Sequence, residues 1–405
     1  MASAREIAAV TVVAAACLAC DKNPVEQNGD LRLTLSPDSV VVGVAQSSPL
    51  IATVRNASGA IQHVALQFVS RDPSVATVSA NGAISALALG STYVVATLSD
   101  RPDVRDSVRV RVHADSCSGA RPDFGVAAEE ERTLFSYDVN APLNLQKTVE
   151  STTNGVETSS ISFSSPDGGL VTGMMWDPVT RSGLRPGMVV MHGLPGKARD
   201  FAGLGQNYAQ NGAVIIAIDA PFTRRGGAPL TFTDQDRFEQ IQVIKDLQRT
   251  VDVLRSHPNV DDDRIAFLGF SWGGATGALF VGIERRLKAA VLVVGHGGQV
   301  SHATGPEGFK HIAGLPCARR VAWIRAMTPV EPIRFVRHAT MPLLLQNGTS
   351  DEYIPVADAE ELHAAAPQPK EVRWYDSGHG LTQQAGTDRL QWLREKIGLD
   401  APAGN

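Results

Sequence analysis

The sequence lacks the features that define several classes of protein. No cluster of lysine or arginine stands out, and 37 basic side chains face 42 acidic ones, so nothing predicts binding to nucleic acid. The histidines His296, His302 and His311 are six and nine residues apart, which fits no compact pair of metal ligands. Cysteines number only 4. What remains is an ordinary globular composition, 43% hydrophobic and 20% charged over 405 residues, which suits two domains of unequal size.

Residues 1–20 are typical of a secretory signal. Arg5 precedes an apolar run that is too short to span a bilayer, and the segment ends at Ala19-Cys20. This end resembles the bacterial lipobox, although Cys17 stands where the lipobox has leucine, and the resemblance implies that Cys20 is lipidated. Plain cleavage near Ala14-Ala15-Ala16 is the alternative. We therefore expect an exported protein, anchored to a membrane of a bacterial envelope through Cys20 or otherwise periplasmic or secreted.

Residues 30–113 predict an all-β sandwich. Short apolar runs are separated by turn residues, with no helical periodicity; the runs are 31–35, 40–44, 51–54, 75–78, 93–97 and 108–112. The stretch from Phe68 to Val78, followed by Asn81-Gly82 and Ala88-Leu89-Gly90, resembles the group 2 bacterial immunoglobulin-like domain. Phe68 stands where the family usually has tryptophan. The resemblance implies a surface spacer or an adhesion module, and we favour the spacer.

Residues 114–128 are predicted to form a linker, because Ser116-Cys117-Ser118-Gly119 and Arg121-Pro122-Asp123 favour turns. The acidic run Glu129-Glu130-Glu131 that follows is predicted to face solvent. In an oxidising compartment Cys117 and Cys317 could form a disulfide, or each could be an unpaired core residue. The sequence leaves both possibilities open.

Residues 129–400 predict an α/β domain. Strand-like segments at 143–149, 156–163 and 170–176 come first, with a hairpin turn at Pro166-Asp167-Gly168-Gly169. Apolar runs then alternate with helical stretches; the runs are 188–191, 214–218, 265–268, 289–294, 343–345 and 372–375. Strands that are apolar on both faces and separated by helices predict a parallel sheet, whose ligands gather at the carboxyl ends of its strands.

A nucleophile is predicted at Ser271. The pentapeptide Gly269-Phe270-Ser271-Trp272-Gly273 lies between a strand and a helix rich in small residues, a turn that exposes the serine Oγ to a histidine. Trp272 begins the helix, so its backbone N–H can face a developing oxyanion. The glycine-rich turn His192-Gly193-Leu194-Pro195-Gly196 follows another strand, and the N–H of Leu194 is the predicted second donor.

Two further turns supply a base and an acid. Asp351 follows the run at 343–345, and His379 follows the run at 372–375. His379 can accept the serine proton and return it to a leaving group, while Asp351 would hold the imidazole tautomer. Ser271, Asp351 and His379 occur in the order nucleophile, acid, base. Glu352 and Asp376 are alternatives to Asp351.

With these motifs, the segment from about Phe135 to Leu399 resembles the α/β-hydrolase superfamily, in the branch shared by dienelactone-hydrolase-like esterases and prolyl-oligopeptidase-like enzymes. The similarity rests on residues 189–196, 254–261 and 263–265 and on the three turns above. It implies a mostly parallel sheet and a small-molecule ester substrate, hydrolysed through an acyl-enzyme without a cofactor. A serine peptidase of the prolyl-oligopeptidase type, here without its β-propeller, and a non-catalytic adhesion protein are the alternatives.

Other residues near the predicted site have weaker signals. His296 follows a strand and is predicted to line the pocket. Arg224 and Arg225 could bind a substrate carboxylate, but are predicted to be solvated loop charges. Residues 299–336, with Phe309, Trp323 and Ile324, are predicted to cover the pocket as a cap that favours small or medium esters.

Overall fold

The computed structural model describes residues 31–44, 47–113, 121–305, 312 and 314–400. The chain divides into two compact units between Ser118 and Gly119, a point inside the predicted linker 114–128. The predicted signal segment with Cys20 lies outside the described residues, as does Cys117. Among the residues described, no helix has both the length and the apolar character that crossing a membrane requires.

The first unit is a β-sandwich, as predicted. Its described strands are β1 (Leu31–Ser36), β2 (Ser39–Gly43), β3 (Ser47–Pro49), β4 (Ile51–Asn56), β5 (Ile61–Gln62), β6 (Leu66–Ser70), β7 (Ala76–Val78), β8 (Ala83–Ala86), β9 (Gly90–Leu98) and β10 (Arg101–His113). They form a four-stranded sheet of order β2-β10-β9-β6 and two three-stranded sheets of orders β1-β4-β5 and β3-β8-β7. Alternation builds the core: β10 buries Val108, Val110 and Val112 and exposes Arg109 and Arg111 between them.

The second unit is built on one nine-stranded sheet of order β11-β12-β13-β15-β14-β16-β17-β18-β19. Its strands are β11 (Gln146–Thr153), β12 (Val156–Ser164), β13 (Leu170–Asp177), β14 (Arg185–Met191), β15 (Val214–Ile218), β16 (Val260–Phe270), β17 (Ala289–Val293), β18 (Leu343–Gly348) and β19 (Lys370–Tyr375). Strands β14 to β19 are parallel, whereas β11, β12 and β13 pair antiparallel. The predicted mostly parallel sheet is confirmed.

Helices cover both faces of this sheet. Those described are α1 (Glu129–Arg132), α2 (Ala202–Gln210), α3 (Pro221–Arg225), α4 (Asp234–Ser256), α5 (Trp272–Ile283), α6 (Gln299–Thr304), α7 (Cys317–Met327), α8 (Pro332–Phe335), α9 (Val356–Ala365) and α10 (Gln383–Ile397); short 3-10 helices lie at Thr133–Phe135, Ala198–Phe201, Thr328–Val330 and Val336–His338. Val189 and Phe267 pack in the core that holds α4 and α5. Val190 and Leu268 pack in the core that holds α2 and α10. Because helices bury both faces of the sheet, its central strands are apolar on both faces.

Three details differ from the sequence expectations. Strand β11, the first of the second unit, begins at Gln146 instead of residue 143 and runs to Thr153. It is an exposed edge strand, so its ends are set by pairing with β12 and cannot be recognised from an apolar pattern in the sequence. Glu131 of the acidic run is not simply solvated, since it forms a bidentate ion pair with Arg334, with hydrogen bonds of 2.7 and 2.8 Å. Trp323 is buried and donates to Asp236 on α4 at 2.8 Å. It is therefore a core residue, and Phe309 of the predicted cap lies outside the described residues.

Parallel strands bring the predicted site residues to one edge of the sheet. The carboxyl ends of β14, β16, β18 and β19 lie together, and the turns that hold Leu194, Ser271, Asp351 and His379 follow them directly. β13 runs antiparallel to β15, so its first residues lie at this same edge. We call it the carboxyl edge.

Candidate active site

The turn that carries Ser271 joins the end of β16 to the start of α5. Ser271 has a φ of 56°, in the left-handed region that costs a non-glycine residue about 1–3 kcal/mol. Its backbone N–H donates to the carbonyl oxygen of Val293 at 2.8 Å, which ties the turn to the neighbouring strand. A Cβ at Gly269 would lie 2.1 Å from the Gly273 carbonyl oxygen, and one at Gly273 would lie 2.3 Å from that of Met191. The predicted strand, sharp turn and helix are present, and both glycines are required by space.

A chain of hydrogen bonds joins Ser271, His379 and Asp351. The Nε2 atom of His379 lies 2.9 Å from Oγ of Ser271, and Nδ1 lies 2.8 and 3.0 Å from the carboxylate oxygens of Asp351. Because a carboxylate can only accept, Nδ1 is the donor, which leaves Nε2 free to accept from the serine hydroxyl. The structure thus brings together the three residues that the sequence predicts, with the imidazole placed to take the serine proton.

The Asp351 carboxylate is shielded and fully engaged. Its side chain is 1% exposed, and its Oδ1 also accepts from the backbone N–H groups of Tyr353 and Ile354 at 2.9 and 3.0 Å. Burial acts to raise the pKa of Asp351, but the hydrogen bonds from His379 and from these N–H groups outweigh it, so the pKa lies below its ordinary value. Glu352 only accepts from the backbone N–H of His379, at 3.3 Å.

The predicted oxyanion donors are the backbone N–H groups of Leu194 and Trp272. Neither donates a hydrogen bond within the described part of the chain. The turn of Leu194 packs directly on the nucleophile, since a Cβ at Gly193 would lie 3.0 Å from Cβ of Ser271. Trp272 is the first residue of α5, whose first-turn N–H groups have no partner within the helix. Two backbone N–H groups without a partner among the described residues therefore lie close to Ser271, and their role as an oxyanion hole stays a prediction.

His192 shapes this turn as a neutral residue. Its Nε2 accepts from the backbone N–H of Ala220 at 3.0 Å, so Nδ1 carries the proton and donates to the carbonyl oxygen of Gly193 at 2.8 Å. Burial, which outweighs the nearby carboxylates, lowers the pKa of His192. A cleft of about 430 Å³ opens beside the turn, lined by apolar side chains that include Leu194, Phe201 and Phe270.

The family models match both units. The description "bacterial Ig-like domain (group 2)" fits residues 32–108, and the description "dienelactone hydrolase family" fits residues 172–395, more than half of the chain. The chain belongs to the dienelactone hydrolase family. The predicted branch of the α/β-hydrolase superfamily and the predicted immunoglobulin-like unit are thereby confirmed.

Similar proteins place this dienelactone hydrolase family member among esterase folds. The acetyl esterase Axe7A of Xylanibacter ruminicola is 22% identical over 169 residues, which are 40% of this chain and 38% of that protein's length. An acetyl xylan esterase of a Paenibacillus species has a TM-score of 0.58 at 20% identity, covering 70% of this chain and 99% of that one. An acetyl xylan esterase of a Thermoanaerobacterium species has a TM-score of 0.56 at 15% identity, covering 69% and 97%. The two solved structures share the fold of the part of this chain that they cover.

The sequence did not predict the aromatic rings around His379. Phe270 and Tyr353 both meet the imidazole edge-on, with ring centroids 5.4 and 5.0 Å away. Phe270 precedes the nucleophile in the motif itself, and Tyr353 follows Asp351 by two residues. A search of the two turns for aromatic residues would have found them. Both contacts have the edge-to-face geometry that aromatic rings prefer.

The segment after β17 has features that the sequence did not predict. Val294 has a φ of 43°, a conformation that a β-branched residue rarely adopts. Two residues later, the ring of His296 lies 4.9 Å from that of His302, whose Nδ1 lies 2.6 Å from Oδ2 of Asp358. Burial is the main cause that lowers the pKa of His296 to about 3, so this ring is neutral. Its predicted role in lining the pocket stays a prediction.

Arg224 and Arg225 both form ion pairs within the protein, although Arg225 stays exposed, as the sequence predicts. Arg224 forms an ion pair with the buried Asp246 at 2.6 Å, and Arg225 bonds both carboxylate oxygens of Glu239 at 2.6 and 3.2 Å. Each guanidinium is therefore already paired within the protein. The sequence could not show this, because both partners lie on α4, more than ten residues further along the chain.

No metal centre is found in the residues that the structure describes, where no three side chains of histidine, cysteine, aspartate or glutamate could hold an ion together. His302 contacts both His296 and Asp358, as described above, and His311 lies outside the described ranges. Cys317 at the start of α7 is disulfide-bonded.

Proposed function

We propose that this protein is a serine hydrolase that cleaves carboxylic esters through an acyl-enzyme. The observation that carries the proposal is the hydrogen-bond chain from Ser271 through His379 to Asp351. Membership of the dienelactone hydrolase family supports it. The free N–H groups of Leu194 and Trp272 supply the remaining part, because a tetrahedral intermediate needs donors for its oxyanion.

Acylation would proceed from the geometry of the hydrogen-bond chain. As Ser271 Oγ attacks the ester carbonyl carbon, its proton passes to Nε2 of His379, and the ionised Asp351 stabilises the imidazolium. The carbonyl oxygen becomes an oxyanion held by the N–H groups of Leu194 and Trp272. When the intermediate collapses, the bond to the alcohol breaks and the alcohol leaves with the proton from His379.

Deacylation would reuse the same groups. A water molecule gives a proton to Nε2 of His379 as its oxygen attacks the acyl carbon. The second intermediate releases the carboxylic acid, and the proton returns to Ser271. No redox step or external proton source is needed, since each proton that His379 accepts is returned within the same half-reaction.

We propose a short acyl group, with acetyl as the first candidate. The names of the three similar proteins support this choice, since each is described as an acetyl or acetyl xylan esterase. The cleft of about 430 Å³ supports it too, because its apolar lining suits the non-polar part of a small substrate.

A substrate panel tests the proposal. Wild-type protein, Ser271→Ala and the control Ser256→Ala are assayed on p-nitrophenyl acetate, on longer p-nitrophenyl esters and on dipeptide amides. We expect hydrolysis of the short esters by the wild type and the control, and a loss of at least about 10³-fold in Ser271→Ala. Turnover of the dipeptide amides without the esters would favour a peptidase, and turnover of neither class would favour an adhesion protein.

We also propose that the mature protein is exported and tethered through Cys20, with the immunoglobulin-like unit as spacer. The pattern of residues 1–20 supports this, and so does the disulfide of Cys317, because disulfides persist in oxidising compartments. Expression in a bacterial host with labelled fatty acid tests it. Labelled wild-type protein in the membrane fraction and unlabelled Cys20→Ser are expected, whereas unlabelled wild type would contradict lipidation.

A further inference from the structure

A second cavity, of about 360 Å³, lies at the carboxyl edge, on strands beyond the turn that holds Leu194. Its floor is formed by polar side chains of β11, β12 and β13 that stand opposite one another. The register pairs Ser162 with Gln146 on one side and with Thr172 on the other, and pairs Thr148 with Ser160 in the next row. Residues in register share one face of a sheet, so these five form one polar surface. We call this cavity the hydroxyl groove.

The wall of the hydroxyl groove is the segment that follows the turn of Leu194. Lys197 lines it, and the Lys197 ammonium has no hydrogen-bond or ion-pair partner among the described residues. Asp219 accepts from a backbone N–H of the wall at 2.8 Å and from the Thr172 hydroxyl at 2.6 Å, which leaves further lone pairs on its carboxylate. Arg199 at the rim is held by Glu150 through two hydrogen bonds of 2.5 and 2.7 Å.

The position of the groove relative to Ser271 follows from the strand order. Adjacent strands lie about 4.8 Å apart. Asp219 at the end of β15 is therefore roughly 10 Å from β16, the strand that Ser271 follows, and Gln146 on β11 is about 24 Å from β16. One continuous segment connects the two places, since Leu194 and Lys197 belong to the same turn region. The alcohol of a simple ester would not reach the groove, whereas an oligomeric alcohol would.

The chemistry of the lining selects the kind of ligand. Hydroxyl and amide groups of the floor both donate and accept, the Lys197 ammonium only donates, and the Asp219 carboxylate only accepts. A polyanion would be repelled by Asp219, a cation would be repelled by Lys197, and an apolar chain would leave the floor unpaired. A neutral ligand rich in hydroxyl groups satisfies all of them.

We propose that the hydroxyl groove binds a neutral oligosaccharide that forms the alcohol part of the ester. This inference rests on the proposed ester hydrolase function, with the acyl group at Ser271 and the sugar chain running along the carboxyl edge past Lys197. The groove would act as a subsite that determines specificity, and it would take no part in the bond-breaking steps.

Kinetics on two substrates test the proposal. The ratio of kcat/KM for acetylated xylohexaose to kcat/KM for p-nitrophenyl acetate is measured in the wild type, in Lys197→Ala and in Ser162→Tyr, whose ring would fill the groove. We expect this ratio to fall about tenfold in both variants, as the loss of one or two hydrogen bonds predicts. The matched control is Lys288→Ala, an exposed lysine directly before β17 at the opposite edge, which should keep the wild-type ratio. Thermal unfolding monitored by circular dichroism checks that Ser162→Tyr folds.

Direct binding separates failure of this inference from failure of the proposed function. Unmodified xylohexaose and hexagalacturonate are titrated calorimetrically into full-length Ser271→Ala with and without Lys197→Ala. Binding of the neutral sugar that Lys197→Ala weakens supports the groove, even if the wild type cleaves no ester. An unchanged kinetic ratio in both groove variants would overturn the groove while leaving the esterase intact. Tighter binding of hexagalacturonate would overturn the neutral ligand.

Discussion

Glu331 is a buried carboxyl group whose ionisation opposes folding. It is fully buried, its Oε1 accepts from the backbone N–H of Ser301 at 2.8 Å, and its Oε2 has no partner among the described residues. Burial raises the pKa of Glu331 to about 8, against the hydrogen bonds from the backbone N–H groups of Ser301 and Val300, which act to lower it. Glu331 thereby fixes the start of α6, three residues after His296. A Cβ at Gly298 would lie 2.3 Å from this Oε1.

The sign and size of the effect follow from proton linkage. Between the ordinary glutamate pKa of about 4.3 and the folded value of about 8, the native protein holds a proton that the unfolded chain has released. The free energy of unfolding therefore falls as pH rises, by about 1.4 kcal/mol per pH unit. From about pH 5 to about pH 7.5 the loss due to this group is about 3 kcal/mol. Glu331→Gln keeps the acceptor at Oε1 and cannot ionise, so it should escape this loss.

Urea unfolding of the wild type and Glu331→Gln at both pH values measures the difference. Tryptophan fluorescence is the suitable signal, because all 5 tryptophans lie in the second unit. The variant should gain about 3 kcal/mol relative to the wild type between the two pH values, while the exposed control Glu360→Gln should gain nothing. Parallel pH dependence of the wild type and Glu331→Gln would refute the reasoning.

Three further substitutions have defined outcomes. Gly273→Ala should abolish ester hydrolysis and destabilise the second unit, since the new Cβ would lie 2.3 Å from a backbone oxygen. The control Gly386→Ala lies on α10 with open space around it, so it should instead raise the free energy of unfolding by about 0.5–1 kcal/mol in the same urea assay. Asp351→Asn should lower kcat on p-nitrophenyl acetate by about 10³ to 10⁴ with unchanged circular dichroism, because the imidazole of His379 is then no longer held in the tautomer whose Nε2 can accept the serine proton. A loss below tenfold would contradict the role of Asp351. Arg224→Met should cost about 3 kcal/mol in urea unfolding with kcat unchanged, because the buried Asp246 carboxylate then loses its ion-pair partner and keeps only the hydrogen bond from Ser165; a change in kcat at full stability would restore a substrate role.

The parts of the site that the sequence predicted are local in the chain. A glycine pair around Ser271 and polar turns directly after apolar runs are visible in a linear sequence, and parallel strands then bring their carboxyl ends together. The turns of Ser271, Asp351 and His379 follow one another in the order nucleophile, acid, base. This order supports the prediction of a catalytic triad independently of the number of residues between the turns. The same locality explains why the strands at 214–218 and 289–294 were placed to within one residue.

The parts that the sequence missed depend on contacts between distant segments. β11 is exposed along its whole length, so its limits come from its partner strand and leave no pattern of their own. The hydroxyl groove exists because three antiparallel strands align Gln146, Ser162 and Thr172 in one row, and each of these alone is an ordinary surface residue. The pairing of Arg224 with Asp246 likewise requires α3 and α4 to be folded.

The identity of the nucleophile is the central claim, and covalent labelling tests it most directly. Full-length protein is treated with a fluorophosphonate, digested and examined by mass spectrometry, alongside Ser271→Ala and His379→Ala. We expect a single adduct on Ser271 in the wild type, no adduct in Ser271→Ala, and much slower labelling in His379→Ala because the serine proton then has no acceptor. An adduct on another residue, or no adduct in folded wild-type protein, would contradict the account.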